Sequence, residues 1–467
     1  MKLLLIEPRN SLVRPPQALH YIASAVNAAG HAAAIHDEAL FAGSSDSLRR
    51  LQASDADVFG ISVYTTPESI RRATEISRAI KTARSSGAIV IWGGWHPTLY
   101  PHDCLNDKCV DLIVRGPGEK TTCDLLNALQ QRASLRTIQG ILFREADAIV
   151  ETPFGCNDET HLFPRLDYGL IDVGRYIESH DQGPGTFSYL TSRGCFGRCA
   201  FCSSRLIDKQ RRFRKPMAQC IDELRQVVAR YPVRRLFISD PVAFTNGQQA
   251  ADLISIVRQA GQGKAISWRC DARIDVLSRL SGDIYKALAR NGCSGFAIGI
   301  ESGADRVLQL MHKDITEAQI SKVLACMVEH GFHENLFWFM VGFPGETPEE
   351  ASRTLALACR IRTLFPRSGI ALTWYRPQLA GEASSAANRG AHMHIGGTSV
   401  GAAGYYLSAS ARRGDIRGGL AHVLKALHRR LLFARVKRRI FAIPIEYAVF
   451  KWRESLRSLL TESAPRH

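Results

Sequence analysis

The sequence predicts an α/β protein in which two series of alternating strands and helices follow one another. Short apolar runs suited to strands alternate with segments of helical periodicity, first over residues 1–137 and again over residues 186–380. Continuous apolar strands separated by helices are typical of parallel sheets covered by helices on both faces. The chain has 467 residues, of which 45% are hydrophobic and 22% are charged, so it is long enough for two such domains.

The first series contains five predicted strands. These are residues 2–8, 32–37, 57–65, 88–94 and 110–116. The two clearest helical patterns lie between them, at 66–87 and at 15–30, which opens with Pro-Pro and closes on Gly30. Five parallel strands of this kind predict a small doubly wound, flavodoxin-like domain whose ligand crevice lies beyond the carboxyl ends of the strands.

Glycines and hydroxyl-bearing residues stand at the carboxyl ends of three of these strands. Glycine at such positions lets the backbone approach a ligand closely. The candidate crevice residues are Ser62, Tyr64, Gly93, Gly94 and Gly116. His20 and His96 are further candidates, although a capping or surface position is the more ordinary interpretation of each.

A connector over residues 138–185 follows the first series. It begins with the alternation of a hairpin and continues with a stretch rich in Pro, Gly and Asp. The second series then holds six predicted strands, at 186–193, 234–240, 266–273, 295–302, 335–344 and 369–378. Six strand–helix units predict a partial (β/α)6 barrel with its functional groups at the carboxyl ends of the strands. Residues 381–467 are predicted to be mostly helical and to cover a substrate.

Three cysteines crowd the segment GCFGRCAFCSSR at residues 194–205. Cys195, Cys199 and Cys202 have the spacing Cys-x3-Cys-x2-Cys, directly after the first strand of the second series. Structural zinc usually takes four ligands in two separated pairs, and no second pair is near in the sequence. A four-iron cluster with three cysteine ligands fits better, because one iron is then left to bind another group. The nine other cysteines are scattered, as expected for small buried side chains.

These features resemble the radical S-adenosylmethionine (SAM) superfamily, and in layout its cobalamin-binding branch, over about residues 1–380. The resemblance implies that the three cysteines bind a [4Fe–4S] cluster, that SAM chelates the open iron, and that the amino-terminal domain binds cobalamin. Phe201 would exclude water or stack on a ligand. The strand-end motifs FISDP, SWRCDARID and GIESG resemble the family's SAM-binding positions and indicate Ser239, Asp240, Arg273 and Glu301 as SAM contacts.

The resemblance further implies an enzyme that cleaves SAM reductively and, with cobalamin, methylates an unactivated carbon. Its implied partners are a small-molecule or lipid substrate and an external electron donor of the flavodoxin or ferredoxin type. Because the motifs serve the cofactors, they leave open a cobalamin-dependent cyclisation, oxidation or rearrangement without methyl transfer. A methylthiotransferase and a non-catalytic basic metal-binding protein are the remaining alternatives.

Positive charge is concentrated at the carboxyl end of the chain. Residues 411–467 hold fourteen Lys and Arg against four Asp and Glu, and so supply +10 of the net charge of +16. Because the excess belongs to the tail, we expect no nucleic-acid partner. Arginines there alternate with Leu, Phe and Ile, a pattern typical of helices that lie on anionic membranes. Without a secretory signal or an eighteen-residue apolar run, the expected location is the cytoplasm, with the tail as a candidate for peripheral membrane contact.

Overall fold

The computed structural model describes residues 1–9, 12–41, 43–84, 87–146, 148–155, 161–375 and 405–407. The chain forms two compact units that alternate along the sequence. The first unit comprises Met1–Arg193, Ile207–Ser239 and Ile256–Ile266, and the second comprises Gly194–Leu206, Asp240–Ser255 and the described part of Ser267–His467. The cysteine segment therefore belongs to the second unit.

Most strands of the described residues alternate with helices. They are β1 Lys2–Glu7, β2 Ala32–Asp37, β3 Val58–Ser62, β4 Ile89–Gly93, β5 Leu112–Val114, β6 Ile141–Glu145, β7 Ala148–Glu151, β8 Thr186–Tyr189, β9 Ser192–Gly194, β10 Arg212–Arg214, β11 Arg235–Ile238, β12 Ser267–Ala272, β13 Cys293–Glu301, β14 Leu336–Val341, β15 Gly369–Trp374 and β16 Tyr405–Leu407. The helices are α1 Gln17–Ala28, α2 Ser44–Gln52, α3 Pro67–Ala83, α4 Trp95–Leu99, α5 Pro101–Leu105, α6 Glu119–Gln131, α7 Val173–Glu178, α8 Ser204–Ile207, α9 Met217–Arg230, α10 Gly247–Gly261, α11 Ile274–Leu277, α12 Gly282–Arg290, α13 Asp305–Leu310, α14 Glu317–Glu329 and α15 Pro348–Leu364.

The first sheet has seven strands in the order β2-β1-β3-β4-β5-β6-β7. Strands β1 to β5 run parallel, with the strand order 2-1-3-4-5 of flavodoxin-like domains, so the predicted doubly wound fold is confirmed. Strands β6 and β7, which come from the predicted connector, extend this sheet as an antiparallel hairpin.

Helices cover both faces of the first sheet, because successive side chains of a strand point to opposite faces. Leu3 and Leu5 of β1 pack with Leu19 of α1 in one core. Ile6 packs on the opposite face, in a second core with Ile76 of α3. The continuous apolar runs of these strands are therefore buried on both sides, as the sequence predicts.

The second sheet has the strand order β16-β15-β14-β13-β12-β11-β8. Strand β8 pairs in parallel with β11, and β12, β13, β14 and β15 pair in parallel with one another. These six parallel strands, in chain order, are the six predicted strands of the second series, and the predicted partial barrel is confirmed. Strand β16 is antiparallel to β15.

The predicted helical region 381–467, with its basic tail, lies outside the described residues except for Tyr405–Leu407, which form β16. Within the part of the chain that the structure describes, no helix is both long and apolar enough to cross a lipid bilayer.

Candidate active site

The three cysteines lie in one loop directly after β9. Cys199 is buried, and Cys195 and Cys202 are partly buried. The Gly197 N–H donates to Cys195 Sγ at 3.3 Å, and the Cys202 N–H donates to the Cys199 carbonyl oxygen at 3.1 Å, so the loop curls on itself. Burial raises the pKa of the Cys202 thiol to about 11, so binding to iron would displace its proton. Among the described residues, no three His, Cys, Asp or Glu side chains converge closely enough to hold a single metal ion.

Gly197 is the point at which the cysteine loop closes on its surroundings. A Cβ atom there would lie 2.3 Å from Arg273 Nη1 and 3.3 Å from Cys195 Sγ. Because a real Cβ does not approach other atoms so closely, any other residue at this position would displace the Arg273 guanidinium from the loop. The loop and its thiol donors fit the cluster that the sequence predicts.

Arg273 follows β12 and places its guanidinium against the cysteine loop. Its Nη1 lies 3.9 Å from Cys199 Sγ, and its Cζ lies 5.0 Å from the centre of the Phe196 ring. Its Nε donates to Asp275 Oδ1 at 2.8 Å. Burial lowers the pKa of Arg273, but the Asp275 carboxylate and the thiols outweigh burial and the net shift is upward. Arg273 therefore stays charged beside the cysteine sulfur atoms, and it would offset the negative charge of thiolates that bind a cluster.

Glu301 ends β13 and forms a buried ion pair with Lys313, a residue that the sequence analysis missed. Lys313 Nζ lies 3.0 Å from Glu301 Oε1 and 5.8 Å from the centre of the Phe201 ring. Burial lowers the pKa of Lys313, but Glu301 and then Cys199 raise it by more, so the ammonium stays charged. A single lysine in the turn MHKD carries no sequence signal of this role.

These contacts connect Arg273 and Glu301 to the cysteine loop, of which Phe201 is a part. Ser239 has different partners. Ser239 Oγ lies 3.2 Å from Gln17 Oε1 and 3.3 Å from the Tyr189 carbonyl oxygen, all within the first unit. Asp240, the next residue, is fully buried and belongs to the second unit. The structure therefore does not bring Ser239 into the group around the cysteines.

The crevice candidates lie where predicted, at the carboxyl ends of β3, β4 and β5. The carboxylate of Glu7, at the end of β1, is the main cause of a raised pKa of Tyr64. Gly94 has φ +97°, and a Cβ there would lie 3.1 Å from the Val63 carbonyl oxygen. At Gly116 a Cβ would lie 3.0 Å from the Phe154 ring. Local packing therefore requires both glycines, with or without a ligand.

Two aromatic rings are exposed at this edge of the first sheet. Tyr64 is 41% exposed, and Trp95, which follows the glycine pair and was missed by the sequence analysis, is 38% exposed. Tyr and Trp rings combine an apolar face with a polar group, which suits contact with a bound ligand. His20, by contrast, is buried, and its Nε2 lies 2.7 Å from the Asp167 carbonyl oxygen, which makes it a satisfied core residue. Burial lowers the pKa of His96, whose ring lies 5.1 Å from that of Tyr100.

A three-cysteine loop at the start of a partial barrel, preceded by a doubly wound domain, defines a radical SAM protein with a cobalamin-type amino-terminal domain. Two family models match the chain accordingly. The B12 binding domain matches residues 11–126, and the Radical SAM superfamily matches residues 189–358. The chain belongs to the radical SAM superfamily, in the group of proteins that carry a B12 binding domain.

Individual proteins show the same arrangement. An uncharacterized methyltransferase of Pyrococcus horikoshii is 28% identical over 371 residues, which are 77% of this chain and 78% of that protein. The anaerobic magnesium-protoporphyrin IX monomethyl ester cyclase of Rubrivivax gelatinosus is 23% identical over 358 residues, which are 74% of this chain and 62% of that protein. The structure of the radical SAM methyltransferase TsrM from Kitasatospora setae, with cobalamin and a [4Fe–4S] cluster bound, gives a TM-score of 0.69 at 18% identity and covers 82% of this chain and 77% of that one. At this identity the similarity to TsrM concerns the fold.

Proposed function

We propose that the protein is a cobalamin-dependent radical SAM methyltransferase that cleaves SAM reductively at a [4Fe–4S] cluster and methylates an unactivated carbon of a small-molecule or lipid substrate. The observation that carries this proposal is the Cys-x3-Cys-x2-Cys loop, in which the Gly197 N–H donates to Cys195 Sγ and Cys199 Sγ lies against the charged Arg273. Membership of the radical SAM superfamily and the B12 binding domain support it.

The chain's own residues would bind and orient the cofactors. When bound, the cluster and SAM supply a radical able to abstract hydrogen from carbon, and cobalamin supplies a transferable methyl group. Cys195, Cys199 and Cys202 would hold the cluster. Arg273 keeps a positive charge at Cys199. Phe201, which lies between the last two cysteines in the sequence, packs against an apolar cluster that includes Ala200 and Met311 and would exclude water.

The remaining cofactor contacts belong to the same proposal. Glu301, Ser239 and Asp240 are proposed SAM contacts, of which Glu301 has the closest connection to the cysteine loop through Lys313 and Phe201. The proposed cobalamin contacts are Ser62, Tyr64, Gly93, Gly94 and Gly116. Tyr64 is the best supported of them, because its exposed ring lies beside the Glu7 carboxylate at the end of β1.

The partners are proposed on the same basis. Reductive cleavage of SAM needs one electron, so an external donor of the flavodoxin or ferredoxin type is part of the proposal. Contact of the basic tail with a membrane surface would suit a lipid substrate of a cytoplasmic enzyme.

A cobalamin-dependent radical cyclisation is the second candidate function. The observation that favours it is the similarity to the ester cyclase of Rubrivivax gelatinosus over 74% of this chain. Both reactions use the same cofactors, so the residues around the cysteines serve either one. The fate of the SAM methyl group distinguishes them.

The test is SAM cleavage by protein whose cluster is rebuilt anaerobically with iron and sulfide, supplied with hydroxocobalamin, SAM and titanium(III) citrate. We expect 5′-deoxyadenosine, measured by mass spectrometry, from the wild-type protein and only the background amount from Cys199→Ser. Cys326→Ser is the matched control, because Cys326 lies on α14 outside the cysteine loop, and it should match the wild type. Equal amounts from Cys199→Ser and the wild type, or none from either, would overturn the proposal.

Methyl-labelled SAM then separates the two candidate reactions. Methyl transfer predicts the label in a product formed from a candidate small molecule or lipid, together with S-adenosylhomocysteine. Cyclisation predicts 5′-deoxyadenosine with an unlabelled product, and that result would refute the methyltransferase assignment.

A further inference from the structure

The ion pair of Lys313 and Glu301 rests on a backbone that departs from ordinary geometry on both sides. Glu301 itself has φ +72°, and the residues that flank Lys313, His312 and Asp314, have φ +49° and +55°. Side chains other than glycine occupy this left-handed region rarely and at a cost, and such strain is concentrated at functional sites. The strain is therefore greatest at Glu301, because His and Asp adopt this region more readily than other residues.

Gly299 provides the space that the pair occupies. A Cβ atom at this position would lie 2.3 Å from Glu301 Oε1 and 2.9 Å from Lys313 Nζ. The parallel pairing of β13 with β14 also shifts register between Gly299 and Glu301. The strand therefore bends at the point where it admits the two charged groups.

The turn that carries Lys313 is fastened to the cysteine loop. The Ala200 N–H, between Cys199 and Cys202, donates to the Met311 carbonyl oxygen at 2.9 Å. The Lys313 and Glu301 side chains are only 8% and 10% exposed, so water screens their charges weakly. The Lys313 ammonium consequently stands where its charge acts on Cys199 and Cys202, and the Glu301 carboxylate is paired with it.

From this arrangement we infer that Lys313 and Glu301 are an electrostatic positioning pair that sets the reduction potential of the cluster held by the cysteine loop, with Lys313 raising it. The inference rests on the proposed function, since it requires the cluster. Reduction adds one electron from the external donor and makes the cluster more negative, so a nearby ammonium stabilises the reduced form and a nearby carboxylate destabilises it.

The opposite charges of the two residues allow a test that separates electrostatics from structural damage. Lys313→Gln leaves Glu301 uncompensated and should shift the midpoint potential to a more negative value. Glu301→Gln leaves Lys313 uncompensated and should shift the potential to a more positive value. A merely structural role would disturb the loop in both variants and move their potentials in the same direction.

The experiment is a redox titration of the full-length protein with its cluster rebuilt, followed by electron paramagnetic resonance of the reduced cluster. Iron and sulfide content per chain is measured for every variant. Lys313→Arg should restore the wild-type potential, and Lys286→Gln, which removes an exposed lysine of α12, should leave it unchanged. If Lys313→Gln loses its cluster, the comparison of Glu301→Gln and Lys313→Arg with the wild type decides the question.

Shifts of opposite sign, with the cluster content unchanged, support the inference. Unchanged potentials, or shifts of the same sign, overturn it while leaving the proposed function intact. Absence of a cluster signal in the wild-type protein would overturn the proposed function, and the inference would fall with it.

Discussion

Two buried lysine–glutamate pairs, one in each unit, look alike in composition but differ in their surroundings. In the first unit Lys215 Nζ lies 2.6 Å from Glu223 Oε2 and 2.9 Å from the Tyr189 hydroxyl. In the second unit Lys313 Nζ lies 3.0 Å from Glu301 Oε1, beside the cysteine loop. Both pairs are removed from water, so within each pair the charge of one residue is stabilised by the opposite charge of the other.

The difference lies in the backbone and in the neighbours. Glu223 is inside the regular helix α9, and Lys215 precedes that helix by two residues, whereas the second pair is framed by left-handed residues. The pKa of Lys215 is lowered overall, because the effect of burial exceeds the opposing effect of Glu223. The pKa of Lys313 is raised overall, because the effects of Glu301 and Cys199 exceed that of burial. We therefore interpret the Lys215–Glu223 pair, on regular backbone beside Tyr189, as a scaffold pair that supports the fold, and the Lys313–Glu301 pair, on left-handed backbone beside the cysteine loop, as part of the proposed site.

The largest effect on stability is expected at the scaffold pair. Lys215→Met leaves the Glu223 carboxylate buried without its ammonium partner, and loss of one member of a buried pair costs about 3–5 kcal/mol. The free energy of unfolding from urea denaturation measures this loss. The exposed Lys286→Met is the control, and its change should stay within about 0.5 kcal/mol. A loss below about 1 kcal/mol at Lys215 would show that this pair does not support the fold.

The strained pair is best tested through Gly299. Gly299→Ala places a methyl group against both charged side chains, and overpacking of this kind costs about 1–3 kcal/mol. Gly282→Ala is the matched control, because the nearest atom to a Cβ there is His330 Nε2 at 3.9 Å and the position begins α12. Thermal melting should show a lower midpoint only for Gly299→Ala. Equal midpoints would mean that Glu301 and Lys313 move apart without strain.

Glu346 gives a third case to compare with the two pairs: its partly buried carboxyl is held by backbone N–H groups rather than by an ammonium. Burial raises its pKa to about 7. Because the pKa is raised in the folded state, the protonated Glu346 carboxyl stabilises the fold below about pH 4.5. This stabilisation is lost as the pH rises towards about 7. After allowance for solvent screening, the free energy of unfolding of the wild type should fall by roughly 1–2 kcal/mol between about pH 4.5 and about pH 7 because of this group, and Glu346→Gln should remove that fall.

Urea denaturation at pH 5 and pH 8 measures this change, with Glu349→Gln, an exposed neighbour on α15, as the control. The same pH dependence in Glu346→Gln and in the wild type would assign it to other groups.

The sequence predicts the fold further than it predicts the site. Apolar runs identify the parallel strands, because strands buried on both faces have no polar alternation to obscure them. The spacing of Cys195, Cys199 and Cys202 is local information, and so is the position of Arg273 and Glu301 at strand ends. Local patterns therefore carry the confirmed strands, and they also indicate the candidate site residues, whose roles stay predictions.

The misses depend on contacts between distant parts of the chain. The β6–β7 hairpin is visible in the alternation of the connector, but its pairing with β5 is a tertiary choice. Lys313 lies in the site only because the turn after α13 bonds back to Ala200. The left-handed backbone at His312 and Asp314 shapes this turn, and although His and Asp adopt that conformation more readily than most residues, nothing local in the sequence shows where the turn docks.

The smallest effect is expected at a third ion pair, which fastens the same turn to the cysteine loop from outside. Arg198 donates to both carboxylate oxygens of Asp314 at 3.1 Å, but the side chains are 65% and 46% exposed. Exposed pairs contribute little, since water and salt screen them. Arg198→Ala should therefore leave the thermal midpoint and the iron content of the rebuilt protein unchanged, in low and in high salt. A fall in both the midpoint and the iron content, as large as the fall in midpoint expected for Gly299→Ala, would show that surface contacts hold the turn. The Lys313–Glu301 pair would then have no special role compared with the Lys215–Glu223 pair.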